Sequence, residues 1–170
     1  MSFVWTAGMA NPEVIRGQVV VKDNTYKLAA NGGAFKQGEL IRITASGTIE
    51  VAKLDSDATG PVHGMALANS ADYTAGDFFP VALFDGSTEL AIQLAASTDQ
   101  NDIAIGSSYV LAVASNKWTM TSTTNKGIAQ VCDKESQSAW FDPKAEASVD
   151  MSRVIIKFTQ ANLDGRGAAS

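Results

Sequence analysis

A short phrase recurs along this chain: a glycine, a small polar or acidic residue, then an apolar-rich run. It reads Gly38-Glu39-Leu40-Ile41-Arg42-Ile43-Thr44, then Gly76-Asp77-Phe78-Phe79-Pro80-Val81-Ala82-Leu83, then Gly106-Ser107-Ser108-Tyr109-Val110-Leu111-Ala112-Val113. Glycine reaches backbone angles closed to other residues and so turns a chain sharply, while the β-branched and aromatic residues behind it favour a pleated strand. Each phrase predicts a turn feeding a strand. Two of them continue alike: Ser46-Gly47 leads into Thr48-Ile49-Glu50-Val51 and Gly64-Met65-Ala66-Leu67, and Ser115-Asn116-Lys117 leads into Trp118-Thr119-Met120-Thr121 and Gly127-Ile128-Ala129-Gln130. The pattern predicts a degenerate duplication of a β-meander, with halves at about 36–69 and 104–132 and with Gly64 and Gly127 at equivalent strand entrances.

Around these halves the sequence predicts an all-β, single-domain, barrel-like or Greek-key fold. An arm covers residues 1–13, with Phe3, Val4, Trp5 and Met9 showing neither strand alternation nor helical spacing. The β-rich body runs over 14–160, and Val14–Val21 with Tyr26-Lys27-Leu28 reads as a first hairpin turning at Asp23-Asn24. Val81–Phe84, Asp85-Gly86 and Thr88–Leu94 read as a second hairpin, because Asp-Gly tolerates the positive φ angles of a tight turn. Ser97–Asp102 suits a loop or one helical turn capped by Ser97 or Thr98. A loop inserted at about 133–152 carries Trp140 and Phe141 ahead of a closing strand, Arg153–Thr159, whose Val154, Ile156 and Phe158 share one face. Residues 161–170 form a tail expected to be mobile or bound to a neighbour.

The charge balance narrows the function. Charged residues make up only 18% of the 170-residue chain, so its surface is finished largely by uncharged polar groups, which suits a protein covered by neighbours. A net charge of −5 opposes binding to a phosphate backbone, whose affinity comes mostly from lysine and arginine. No run approaches the ~20 apolar residues of a membrane span, and residues 1–10 lack the basic flank and long apolar run of a leader. Nucleic acid and membrane are not expected partners.

Chemistry-bearing residues are sparse. His63 is the sole histidine and Cys132 the sole cysteine, so no intrachain disulfide forms and no tetrahedral zinc shell can be filled. No Gly-x-Ser-x-Gly, Gly-x-Gly-x-x-Gly or phosphate loop occurs. Asp55 and Asp57, or Asp99, Asn101 and Asp102, lack a complete calcium loop and read as solvated turns. Asp72, Asp77, Asp85 and Glu89 are close enough in sequence to consider as a carboxylate pair, though acidic residues beside turns are mostly caps. No catalytic, cofactor or metal site is expected. The aromatics outside the alternating strands, Trp5 and Phe3 in the arm and Trp140-Phe141 in the inserted loop, read either as satellite packing or as an interface, whereas Phe78, Phe79, Phe84 and Trp118 read as core.

The run Gly64-Met65-Ala66-Leu67-Ala68-Asn69, then Ala75-Gly76-Asp77, then Val81-Ala82-Leu83-Phe84-Asp85-Gly86, resembles the capsid decoration (cement) proteins of tailed bacteriophages. The match runs from about Lys36 to Leu94 and is weaker in the second half. The resemblance implies a β-rich protein, made in the host cytoplasm, that sits as a homotrimer on the exterior of the phage head and stabilises the shell. It also implies that the arm adds a strand to the major capsid protein, with Phe3, Val4, Trp5 and Met9 as contacts. The loop bearing Trp140 and Phe141 and the tail have no counterpart in that group. Two other readings are a tail-tube or head-fibre subunit, and a carbohydrate-binding or carbohydrate-active β-domain using Trp118, Trp140 and Asp85 or Glu89.

Overall fold

A computed structural model describes residues 12–52, 61–95, 98, 100–114, 117–124, 127–134 and 153–158. Among them run thirteen strands: β1 (Glu13–Arg16), β2 (Val19–Lys22), β3 (Lys27–Leu28), β4 (Leu40–Ile43), β5 (Thr48–Val51), β6 (Gly64–Ala66), β7 (Val81–Phe84), β8 (Glu89–Leu94), β9 (Ser108–Tyr109), β10 (Leu111–Ala114), β11 (Lys117–Met120), β12 (Ala129–Lys134) and β13 (Arg153–Phe158). Single 3-10 turns stand at Ser70–Asp72 and Gln100–Asp102. The fold is all-β, as the alternation and turn signals require.

The strands form two sheets of matching connectivity. The first is ordered β2-β7-β6-β4-β5-β3, and because β2 and β3 are consecutive in the chain, the path returns to its start in a barrel-like ring. The second is ordered β10-β11-β8-β13-β12-β9, and the consecutive β9 and β10 close it in the same way. In each ring the opening strand runs antiparallel to the closing one and parallel to the third. Leu28 pairs with Ile49 as Leu94 pairs with Met120, and Ile43 pairs with Ile49 as Leu111 pairs with Met120. Ala66 pairs with Val81 as Val131 pairs with Ile156. The main-chain bonds coincide as well: Gly38 N–H donates to Ala66 C=O (2.9 Å) where Gly106 N–H donates to Val131 C=O (2.8 Å), and His63 N–H donates to Ile41 C=O (3.0 Å) where Ile128 N–H donates to Tyr109 C=O (3.0 Å).

The duplication is therefore longer than the sequence shows, reaching from β2 to β7 and from β8 to β13. Its register also differs by two residues from the one the glycines suggest. Gly64 corresponds to Ala129, since Gly64 pairs with Leu83 as Ala129 pairs with Phe158, and Gly127 lies before the strand. Both glycines permit close backbone approach, but to different neighbours: a Cβ at Gly64 would lie 2.2 Å from Ala82 O, and one at Gly127 would lie 2.3 Å from Ser108 O. Glycine marks a crowded point here, not a homologous one. The phrase at Gly76 is no third copy, because it feeds β7, the closing strand of the first ring.

Neither expected hairpin exists. β7 pairs with β2 and β6 while β8 pairs with β1, β11 and β13, so Asp85-Gly86 carries the chain from one sheet to the other. Local sequence specifies the turn, closed by Thr88 N–H to Asp85 C=O at 3.2 Å, but not the sheet to which each arm belongs. The stretch from Glu13 to Lys22 likewise breaks in two, β1 joining the second sheet and β2 the first, and β3 lies parallel to β5 instead of pairing with β2. These two bent segments face each other as one corner. Thr88 Oγ1 donates to Gln18 C=O (2.5 Å), Gln18 N–H donates to Ser87 Oγ (3.3 Å), and Gly17 has φ +83°. A Cβ at Gly17 would lie 2.0 Å from Ser87 O, whereas one at Gly47 (φ +77°) would meet nothing within 4 Å. Gly47→Ala should therefore cost only the left-handed strain of about 1–3 kcal/mol. Gly17→Ala should cost distinctly more, because it also pushes the corner apart; thermal unfolding of the pair checks this, and equal melting points would refute it.

Two apolar clusters fill the structure. One lies within the first ring around Phe79, with Phe35 and Tyr73 edge-on to it at 5.2 and 4.9 Å between centroids. The other fills the second ring around Trp118, Met120, Ile156 and Phe158, and it also takes in Leu40, Ala52, Val62 and Phe84 from the first. Phe84 stacks on Phe158 at 6.0 Å, so the rings share a core. Phe79, Phe84 and Trp118 are buried as expected, but Phe78 is 47% exposed, with the Lys27 ammonium 5.4 Å from its ring centroid. In β13 the face of Val154, Ile156 and Phe158 joins the core, while Arg153 and Ile155 on the other face are buried too.

Candidate interaction surface

The arm residues Phe3, Val4, Trp5 and Met9, the loop residues Trp140 and Phe141, and the acidic residues Asp55, Asp57 and Asp99 lie outside the described residues. The remaining candidates are dispersed, and each side chain serves the fold. His63 is 2% exposed, and its Nδ1 accepts the Ile43 N–H at 2.8 Å. An imidazole accepting at Nδ1 carries its proton on Nε2, so this hydrogen bond sets the tautomer.

Asp85 caps its own turn, accepting from Ser87 N–H at 2.7 Å and Ser87 Oγ at 2.6 Å. Those bonds to Ser87 hold its carboxyl below the usual aspartate range. Glu89 pairs with Arg16 at 2.6 Å. Asp77 accepts from Thr74 N–H (2.9 Å), and Asp72 accepts from the Asn69 amide (3.3 Å). Among the described residues no cluster of three or more His, Cys, Asp or Glu is arranged to hold a metal ion. Burial, followed by the nearby Glu89 charge, pushes the Cys132 thiol up. A thiol shifted that way is mostly protonated at neutral pH and a poor nucleophile.

Trp118 is fully buried, and its Nε1–H donates to Glu39 Oε1 at 3.1 Å across the junction of the rings. An indole in that position cannot stack on a sugar, which removes Trp118 from the carbohydrate reading. Glu39, itself 1% exposed, also accepts the Lys36 N–H at 2.6 Å. Sequence reasoning did not single out this carboxylate, and its position directly after Gly38 gives no local sign of burial.

What the described surface does offer is apolar. Val19, Val20 and Val21 of β2 are 38%, 48% and 54% exposed, so both faces of this strand meet solvent. Phe78, Ile105 and Val113 are exposed as well. Three consecutive β-branched residues without polar alternation were the available signal, but the run read as part of a longer strand. Among the described residues β2 stands at the end of the first sheet, with β7 on one side only. An exposed, apolar end strand presents unpaired main-chain groups beside sticky side chains, which is the arrangement that accepts another strand. No helix among the described residues is long and apolar enough to cross a membrane. Comparison of the chain with protein-family models, with curated proteins and with solved structures returned no match.

Proposed function

We propose that this chain acts by binding: it is a decoration protein that attaches as a homotrimer to the exterior of a tailed-phage head and braces the lattice of the major capsid protein. The observation that carries the reading is the division of labour between side chains. The described polar candidates, His63, Asp72, Asp77, Asp85 and Glu89, are tied into turns, strands and ion pairs, while apolar side chains on β2 and beside β7 and β9 stand in solvent. The residues behind the phage resemblance have structural roles that suit such a scaffold. Gly64 lets β6 approach β7, Gly76 turns at φ +92°, and Val81–Phe84 is fully buried.

Attachment is assigned to the arm, where Phe3, Val4, Trp5 and Met9 occur in a stretch without a charged residue before Glu13. Strand addition supplies main-chain bonds, and burying a large apolar side chain contributes roughly 1.5–3 kcal/mol. Deleting residues 1–12 should weaken co-sedimentation with capsids by at least about tenfold, or ~1.4 kcal/mol. The melting point of the free protein should hardly change. Full binding by the truncated chain would reject the arm as the attachment device, and failure of the intact chain to bind any phage head would reject the function itself.

A further inference from the structure

The duplication provides an internal standard for the exposed edge of β2. In the second ring the counterparts of Val21 and Lys22 are Glu89 and Leu90, at the start of β8, since Lys22 faces Val81 as Leu90 faces the equivalent Ile156. The side of β8 turned away from β13 is covered by β1, which pairs antiparallel through Val14↔Leu90 and Glu13↔Ala91. The matching side of β2, turned away from β7, carries no strand among the described residues. An edge of this fold that is filled in one ring is open in the other.

The direction of the main-chain groups on that edge follows from the pairing. Phe84 N–H donates to His63 C=O at 2.9 Å, so Phe84 and, by alternation, Ala82 face the β6 side of β7. Leu83 and Val81 then face β2 and bond to their partners Val20 and Lys22. Val19 and Val21 are left to aim their N–H and C=O groups away from β7, along the open edge.

We propose that this edge pairs with the same edge of a second copy of the chain, β2 running antiparallel to β2 about a twofold axis through Val20. In that register Val19 of each copy lies opposite Val21 of the other, exchanging N–H···O=C bonds in both directions, and Val20 lies opposite Val20. The strand is self-complementary there. Lys22 falls opposite Gln18 and Asp23 opposite Gly17, so no charge meets its like, and in a chain of net charge −5 the segment 17–22 carries only the single positive charge of Lys22. Both faces gain apolar contacts, because the three valines project to both sides of the sheet and all are exposed.

Four main-chain bonds and six valines bury much less than the ~800 Å² per partner of a stable interface, so the contact is weak in dilute solution. It strengthens where copies are held side by side at roughly millimolar effective concentration. Being twofold, it is separate from a threefold interface and would join one trimer to the next. It goes beyond the capsid-binding reading, and the chain alone suffices to test it.

The test is disulfide cross-linking of the full chain in a Cys132→Ser background. Opposed residues of a non-hydrogen-bonded antiparallel pair have Cα atoms about 4.5 Å apart, within the disulfide range, so Val20→Cys should oxidise to a covalent dimer at least about tenfold faster than Val19→Cys or Val21→Cys. An equimolar mixture of Val19→Cys and Val21→Cys should cross-link where neither does alone. In sedimentation equilibrium, Val20→Lys should abolish the concentration-dependent association of the Cys132→Ser chain beyond the trimer. Equal rates for the three cysteine variants, no dimer at any concentration, or a Val20→Cys dimer that forms only after residues 1–11 are removed would overturn the proposal; the last result would mean that the arm occupies the edge.

Discussion

Replacing Trp118 by Ala is expected to destabilise the whole protein by about 3–5 kcal/mol, in a single transition. The indole is completely buried in the cluster that fills the second ring and reaches Leu40, Ala52, Val62 and Phe84 of the first. Its removal leaves a cavity at the junction and takes from the Glu39 carboxylate the donor that reaches it from 79 residues away. Against a total stability of roughly 5–15 kcal/mol, that loss is a large share. Trp118→Phe separates the two effects. It keeps most of the ring but deletes the N–H, and a buried acceptor losing one bond costs about 1–3 kcal/mol. Urea titration followed by far-ultraviolet circular dichroism provides the measurement. A lower midpoint with one transition is expected, and two resolved transitions in either variant would show that the rings do not share a core.

The sequence discloses strands, turns and the existence of a repeat because these depend on neighbours in the chain. Gly38 and Gly106, which open two of the recurring phrases, make equivalent bonds to Ala66 and Val131. Sheet assignment was not legible, because Asp85-Gly86 makes the same local turn whether the flanking strands pair or part. The split at Gly17 was equally silent: the reason for a left-handed residue there is the carbonyl of Ser87, 70 positions away. Buried charges were missed for the same reason. Nothing adjacent to Glu39, Arg42, Glu50 or Arg153 distinguishes them from solvated residues, yet each is less than 9% exposed. The open edge of β2 could have been suspected from Val19-Val20-Val21 alone, but only its counterpart in the other ring, covered by β1, shows what such an edge accepts.

Arg42→Met alone is expected to cost about 3–5 kcal/mol, and Glu50→Leu alone a similar amount, because each leaves a buried charge without its partner. Arg42 and Glu50 lie directly opposite each other on β4 and β5, with Arg42 Nε and Nη2 both bonded to Glu50 Oε1. The two side chains are each 10% exposed, and Gly32 closes over them so tightly that a Cβ there would lie 2.8 Å from Glu50 Cβ. Desolvating two ions offsets most of what their attraction returns, so the double variant Arg42→Met/Glu50→Leu should be near neutral or more stable. The second ring supports this from within the molecule. The residues equivalent to Arg42 and Glu50 are Val110 and Thr121, and there the hairpin is held by Thr121 N–H and Oγ1, both donating to Val110 C=O at 3.0 Å. The same strand geometry forms without an ion pair, so the pair is not what makes the hairpin. A double-mutant cycle in urea should return a coupling energy close in magnitude to the two single costs added together. Additive losses in the double variant would show that Arg42 and Glu50 each stabilise the ring through contacts other than with one another.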